Sequence, residues 1–255
     1  MNDILEELSA MRRADAAERE KEIPFARMMR LAESAAKPRA FAPHGIIAEL
    51  KKASPSEGMI REDFRPVELA RELDNAGAAA LSVLCEPHRF LGGEGYLRAV
   101  RNVTDLPLLY KDFLTTRYQV AAARAAGADA VLLIAAVLDD AALADLLGFA
   151  HGLGLAALVE THDRDEIARA SAAGARIVGV NCRNLRNFTT DVSLLESLVG
   201  EIPPKCVRIA ESGMHDAGAI SRAKAAGANG FLVGTALMRS PSPGEKLREL
   251  LTTNH

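Results

Sequence analysis

The chain has 255 residues, 49% hydrophobic and 25% charged, with 4% aromatic and no tryptophan. This composition belongs to a globular protein able to bury a substantial core, and it sets aside disordered, collagenous and coiled-coil chains. Thirty-one basic against 34 acidic side chains give a formal charge of −3, which argues against general nucleic-acid binding, since that needs a basic face to displace counterions, and leaves room for a local cluster around one small anion.

At the N-terminus, Asp3, Glu6 and Glu7 interrupt any apolar signal core. Ile4, Leu5, Leu8 and Met11 form one apolar helical stripe, and Pro24 opens a second helix carrying Phe25, Met28, Met29 and Leu31. The remaining faces are charged and mixed in sign, so residues 1–44 read as a helical extension packed on the rest of the chain rather than a membrane-surface helix. That extension also offers a surface for a homo-oligomer or a pathway-enzyme contact. From residue 45, short apolar runs alternate with Ala- and Leu-rich stretches. Strands are expected at Ile46–Leu50, Leu81–Leu84, Pro107–Lys111, Ala130–Ile134, Leu155–Glu160, Ile177–Asn181, Val207–Glu211 and Phe231–Gly234, with helices such as Pro66–Ala76 and Ala217–Ala226 between them. The runs are continuously apolar, as strands covered on both faces should be. The densest, Ala130 to Leu138, is nine residues long, where a membrane span takes about 20.

Eight such units over residues 45–255 predict a (β/α)8 TIM barrel. Ala-Gly-Ala recurs with its glycines at 77, 127, 174 and 227, each ahead of every second strand. Glycine there ends the preceding helix, and a two-unit period repeated four times suits a closed eightfold ring. Three scattered cysteines without CxxC spacing argue against a disulfide scaffold or zinc site. The sequons at Asn102-Val103-Thr104 and Asn187-Phe188-Thr189 read as chance matches, and the cytoplasm is the expected location.

A barrel of this kind builds its active site at the C-terminal ends of its strands. The expected strand ends carry Glu49 and Lys51, Lys111, Glu160, Asn181 and Glu211. Charged groups are rarely buried unless paired. Three carboxylates and two ammoniums on one rim therefore imply an ion-pair network or a catalytic site, and their number favours catalysis. After the last two strands, Ser212-Gly213 and Gly234-Thr235 let backbone N–H groups approach an anion, with Ala236-Leu237-Met238 as a short following helix. That is the usual phosphate cradle of the fold. Gly152-Leu153-Gly154 precedes its strand and so is no dinucleotide fingerprint. His162 has no partner at metal-ligand spacing and reads as a surface or supporting residue. Cys182 reads as a small rim residue, with Arg183 the better-placed anion contact.

These rim residues resemble the indole-3-glycerol-phosphate synthase family of tryptophan biosynthesis. Residues Ile47 to Ser56 are similar to its AE-x-K-x-x-SPS segment, Lys111-Asp112-Phe113 to KDF, and Leu158-Val159-Glu160 to LVE. Asn181-Cys182-Arg183-Asn184-Leu185 resembles N-x-R-x-L, Glu211-Ser212-Gly213 matches ESG, and Phe231-Leu232-Val233-Gly234 matches FLVG. The likeness runs from about residue 46 to the C-terminus. Gly93, Tyr110 and Thr235 depart from it, standing where the family usually has Ser, Arg or Cys, and Ser or Glu.

The resemblance implies a decarboxylating lyase that closes 1-(2-carboxyphenylamino)-1-deoxyribulose 5-phosphate to indole-3-glycerol phosphate without metal, nucleotide or organic cofactor. It implies Lys111 as general acid and Glu160 as general base. Lys51 would pair with the substrate carboxylate or serve as a second acid, and Glu49 and Glu211 would hold the lysines charged. Asn181, Arg183 and Ser56 would hold the carboxylate or a sugar hydroxyl. Phe90, Phe113 and Leu132 would wall the aromatic ring, and Ser212, Gly213, Gly234 and Thr235 would bind phosphate. A neighbouring ammonium and burial would lower the Lys111 pKa, while the rim carboxylates would raise it. The rival readings are a sister phosphosugar barrel such as phosphoribosylanthranilate isomerase, and a non-catalytic phosphate-ligand-binding homologue. The Lys51, Lys111 and Glu160 set speaks against both. The Ser-Pro-Ser-Glu-Gly run at 54–58 would permit a mobile lid.

Overall fold

The computed structural model describes residues 4–183 and 192–252; Asn184, Leu185 and the sequon at Asn187 lie outside them. The eight barrel strands are β1 (Gly45–Leu50), β2 (Ala80–Leu84), β3 (Leu108–Lys111), β4 (Ala130–Ile134), β5 (Ala156–Thr161), β6 (Ile177–Asn181), β7 (Val207–Glu211) and β8 (Gly230–Val233). Each pairs in parallel with its chain neighbour, and β1 closes on β8 with Ala48 opposite Val233. The expected strands are all present, displaced by no more than a residue at either end. The crossovers are helices, among them α3 (Pro66–Asn75), α4 (Glu94–Arg101), α5 (Arg117–Ala125), α6 (Asp140–Gly152) and α7 (Arg164–Ala172). They continue with α8 (Val192–Val199) and α9 (Ala217–Ala225), and α10 (Thr235–Arg239) and α11 (Pro243–Thr252) follow the last strand.

Successive side chains of a strand point to opposite faces, and here both faces are buried. Ile46, Ala48, Leu50, Tyr110, Val159 and Ala210 pack outward against the helices, whereas Ile47, Leu109, Leu158 and Ile209 fill the barrel interior. The period of two then dictates the rim. Glu49, Lys111, Glu160 and Glu211 each stand two residues beyond one of those four interior positions, so all four point into the mouth. The odd-numbered strands thus supply the charge, and the even-numbered ones carry Leu84, Leu132, Ile134, Asn181 and Leu232 to the same cavity.

The repeated Ala-Gly-Ala has a common geometry. Gly77, Gly127, Gly174 and Gly227 have φ of 97°, 94°, 86° and 103°, in the left-handed region that side chains disfavour. The alanine after each donates its N–H to a carbonyl five residues back, as Ala78 does to Leu73 and Ala228 to Ala223. The glycine N–H reaches three residues back, closing the Schellman turn that stops the helix. Gly154 makes the same turn after α6, which accounts for the Gly152-Leu153-Gly154 run.

The extension consists of α1 (Ile4–Glu22) and α2 (Phe25–Ser34). Leu5 and Leu8 of α1 join the interior cluster, and the Arg12 guanidinium grips Asp112, the residue after β3, with Nε to Oδ1 at 2.9 Å and Nη2 to Oδ2 at 2.7 Å. α2 lies on α5, burying Met28 and Ala32 against Tyr118, Ala121 and Ala122. Leu31, also expected on this helix, is exposed. The helical period groups Phe25, Met28, Met29 and Ala32 on one face and puts Leu31 to its side. No helix among the described residues is long and apolar enough to cross a membrane.

Candidate active site

A cavity of about 450 Å³ opens at the C-terminal mouth of the barrel, within the range of roughly 300–1,000 Å³ usual for small-molecule sites. All the site residues expected from sequence line it: Glu49, Lys51, Ser56, Phe90, Lys111, Phe113, Leu132, Glu160, Asn181, Arg183, Glu211, Ser212, Gly213, Gly234 and Thr235.

Its floor is an ion network. Lys111 Nζ donates to Glu160 Oε2 at 2.9 Å and Glu211 Oε2 at 3.0 Å, and Lys51 Nζ lies 2.7 Å from Glu49 Oε1. Burial opposes the charge of Lys111, but Glu160, Glu211 and Glu49 outweigh it, so its pKa is raised and the ammonium persists. Of the two opposing influences anticipated on this lysine, the carboxylates prevail. Burial pushes the Glu160 carboxyl up, yet Lys111, His162 and a hydrogen bond from Asn181 hold it well below the usual range. Glu211 moves the other way: burial raises it, Lys111 only partly offsets that, and Glu160 adds like-charge repulsion. Two carboxylates sharing one ammonium separate in this manner, one ionised and one readily protonated.

Two missing side chains make room for the network. A Cβ on Gly179 of β6 would lie 2.1 Å from Glu211 Oε1, and one on Gly234 would lie 2.3 Å from Glu49 Oε1. His162 sits half-buried behind Glu160, its Nδ1 3.1 Å from Glu166 Oε2 and its Nε2 3.5 Å from Glu160 Oε1. Its place against Glu160 and Glu166 is behind the network. Asn181 Oδ1 accepts from Ser212 Oγ at 2.7 Å and from the Arg183 N–H at 3.1 Å. Ser212 and Gly213 both have positive φ, 63° and 72°; for serine this is strained backbone, of the kind found at ligand-binding turns. Cys182 is buried, its Sγ donating to the Glu211 and Ser212 carbonyls.

Above the network the walls are apolar. Phe90 and Phe113 face each other with centroids 6.2 Å apart at 44°, joined by Leu84, Leu132, Ile134 and Leu232 and roofed by Ile4, Leu5 and Leu8 of α1. The buried Glu86 carboxylate accepts three backbone N–H groups, from His88, Arg89 and Phe90 at 2.6–2.8 Å, and so shapes the loop that presents Phe90. Across the opening lies a two-residue hairpin, Ala53–Ser54 with Gly58–Met59. Ser56 Oγ accepts from Arg183 Nη1 at 2.5 Å, and Glu57 pairs with Arg239. Sequence reasoning assigned no role to Glu57, Arg239, Glu86 or the side of α1 that faces the cavity; Glu57 had a signal in the run at 54–58 and Arg239 in following the FLVG segment. Of the departures from the resemblance, Thr235 lines the cavity, while Gly93 and Tyr110 are not among its lining residues.

Fold and rim together define a (β/α)8 barrel with a charged ligand-sized cavity at its mouth. The model of a family described as indole-3-glycerol phosphate synthase matches residues 5–250. The chain is 43% identical over 260 residues to the indole-3-glycerol phosphate synthase of Acidithiobacillus ferrooxidans, covering 98% of this chain and 99% of that one. It is likewise 43% identical over 263 residues to that of Albidiferax ferrireducens, covering 99% and 100%. Among solved structures it resembles a 3-hexulose-6-phosphate synthase with a TM-score of 0.67 at 16% identity, over 82% of this chain and 98% of that one; that likeness concerns the fold alone. The chain belongs to the indole-3-glycerol phosphate synthase family.

Proposed function

We propose that this protein converts 1-(2-carboxyphenylamino)-1-deoxyribulose 5-phosphate to indole-3-glycerol phosphate, releasing CO2 and water. The observation that carries the reading is a charged lysine seated between two carboxylates of opposite protonation tendency, beneath an apolar slot, in a chain of this family. The aromatic carbon bearing the carboxylate attacks the ketone while Lys111 donates a proton to the ketone oxygen. Loss of CO2 from that carbon restores aromaticity. The new hydroxyl then leaves as water with a second delivered proton, from Lys51 or from Lys111 recharged, assisted by the nitrogen lone pair, while Glu160 takes a proton from the adjacent methylene carbon, so that the indole keeps its N–H. Two protons delivered and one taken make the reaction consume one proton per turnover when the substrate carboxylate is ionised. The low pKa of Glu160 keeps it ready to accept, and the raised pKa of Lys111 keeps it loaded.

Phe90, Phe113 and Leu132 take the aromatic ring. Arg183, steadied by Ser56, takes the carboxylate, and Asn181 orients Glu160. Ser212, Gly213, Gly234 and Thr235 take the phosphate. The substrate is thus a small phosphorylated molecule, and neither nucleic acid nor membrane enters the reaction. The cytoplasm is the compartment we assign. Purified protein supplied with the substrate alone should develop indole fluorescence, against a background free of tryptophan. Binding of the substrate with no product would transfer the protein to the ligand-binding homologues.

A further inference from the structure

The cationic side chains lining the cavity fall into two groups. The two lysines are held by carboxylates rooted on barrel strands. The two arginines, Arg183 after β6 and Arg239 at the end of α10, share one carboxylate, that of Glu57 on the hairpin. Glu57 Oε2 accepts from Arg239 Nη2, and its Oε1 lies 3.8 Å from Arg183 Nη2. Every lysine and arginine among the described lining residues therefore already has an acidic neighbour, although under the function proposed above the cavity must admit a carboxylate and a phosphate. Glu57 is the member of the acidic set that can leave. Its hairpin has two residues per strand, a structure too short to be stable by itself. The base of that hairpin is pinned, because Arg61 Nη1 donates to the Met238 and Ser240 carbonyls at 3.1 and 2.9 Å. Its tip is held by Glu57 and Ser56 reaching the arginines and by the Glu57 N–H on Ser54 Oγ at 3.2 Å.

We propose that Glu57 is a displaceable internal anion and a specificity determinant, occupying Arg183 and Arg239 until a ligand bearing its own anionic groups takes them over. Partly exposed ion pairs are weak, so displacement costs little. Charge-assisted hydrogen bonds from arginine to a carboxylate or phosphate of the ligand replace what is lost. A neutral molecule of the same shape gains nothing by displacing Glu57 and stays outside, which is discrimination by an opposing charge. The inference rests on the proposed function for the anionic character of the substrate, and its test separates the two.

Dissociation constants of inorganic phosphate and of anthranilate are measured by calorimetry for the wild type, Glu57→Gln and Glu57→Ala, with circular dichroism to establish folding. At low ionic strength both variants should bind at least one of these anions about three- to tenfold more tightly than the wild type. The difference should shrink in high salt, and KM for the substrate should fall in Glu57→Gln. Equal or weaker binding of both anions by the variants would overturn the role given to Glu57 while leaving the anion site standing. Failure of all three proteins to bind either anion would overturn both.

Discussion

The arc around Lys111 and the arc around Arg183 are both built from ion pairs, but they are built on different foundations. Lys111, Glu160 and Glu211 stand on β3, β5 and β7, the two carboxylates buried and the lysine partly so, on strands paired in parallel on both sides. Arg183, Arg239 and Glu57 stand on loop ends and a hairpin, and the Arg239 side chain is 59% exposed. A barrel strand offers one geometry, which suits proton transfer, whereas a loop offers several, which suits admission and release. Under the proposed function, the contrast teaches that this site divides its labour by element: rigid strands set proton positions, and loops handle charge at the door.

The sharpest way to break the comparison is Lys111→Ala. Removing the acid should lower turnover by about two to four orders of magnitude, the usual worth of a positioned proton donor. The fold should survive, because Glu211 already favours its protonated form and relieves the unpaired charge. An unchanged rate of indole appearance would exclude Lys111 as the acid. Glu160→Gln should slow turnover by about two orders of magnitude while phosphate affinity stays nearly intact; loss of phosphate binding would place Glu160 in the wrong arc. Gly179→Ala forces a methyl onto Glu211 Oε1. Denaturant unfolding should reveal a loss of about 1–3 kcal/mol, as for other overpacked interiors, with activity falling alongside. Gly93→Ala meets no atom within 4 Å and should stay within about 0.5 kcal/mol of the wild type.

A separate test concerns pH. Glu211 has a raised pKa in the folded state, so between the ordinary carboxyl range and that raised value the folded chain holds a proton that the unfolded chain has lost. Stability then falls as pH rises through this window. Glu211→Gln cannot ionise, and its thermal midpoint should decline less than the wild type's between pH 5 and pH 8. Parallel curves for the two proteins would deny the raised pKa.

The barrel was legible because doubly buried parallel strands write themselves as uninterrupted apolar runs, and the Gly77, Gly127, Gly174 and Gly227 turns mark its twofold-unit period. The charged floor was legible for a related reason: Glu49, Lys111, Glu160 and Glu211 break those runs at positions two residues past an interior side chain. What stayed hidden depends on how elements far apart in the chain meet. The stripe on α1 announces that Leu5 and Leu8 are buried, but not that they roof the cavity. Glu57 and Arg239 are ordinary surface types separated by 182 positions, and only the folded hairpin brings them together. Ala32 of α2 stayed hidden too, because a single alanine carries little apolar signal although the helical phase turns it to α5.

Gly234 sits where β8 closes on β1, with Glu49 Oε1 and Lys51 Nζ within 3.1 Å of the place a side chain would fill. The reaction centre therefore straddles the seam where the first barrel strand meets the last. On a ribosome, Lys111 and Glu160 would emerge well before the residues that close the ring. Catalysis would switch on only with closure, so appearance of product during translation would time the final step of barrel assembly.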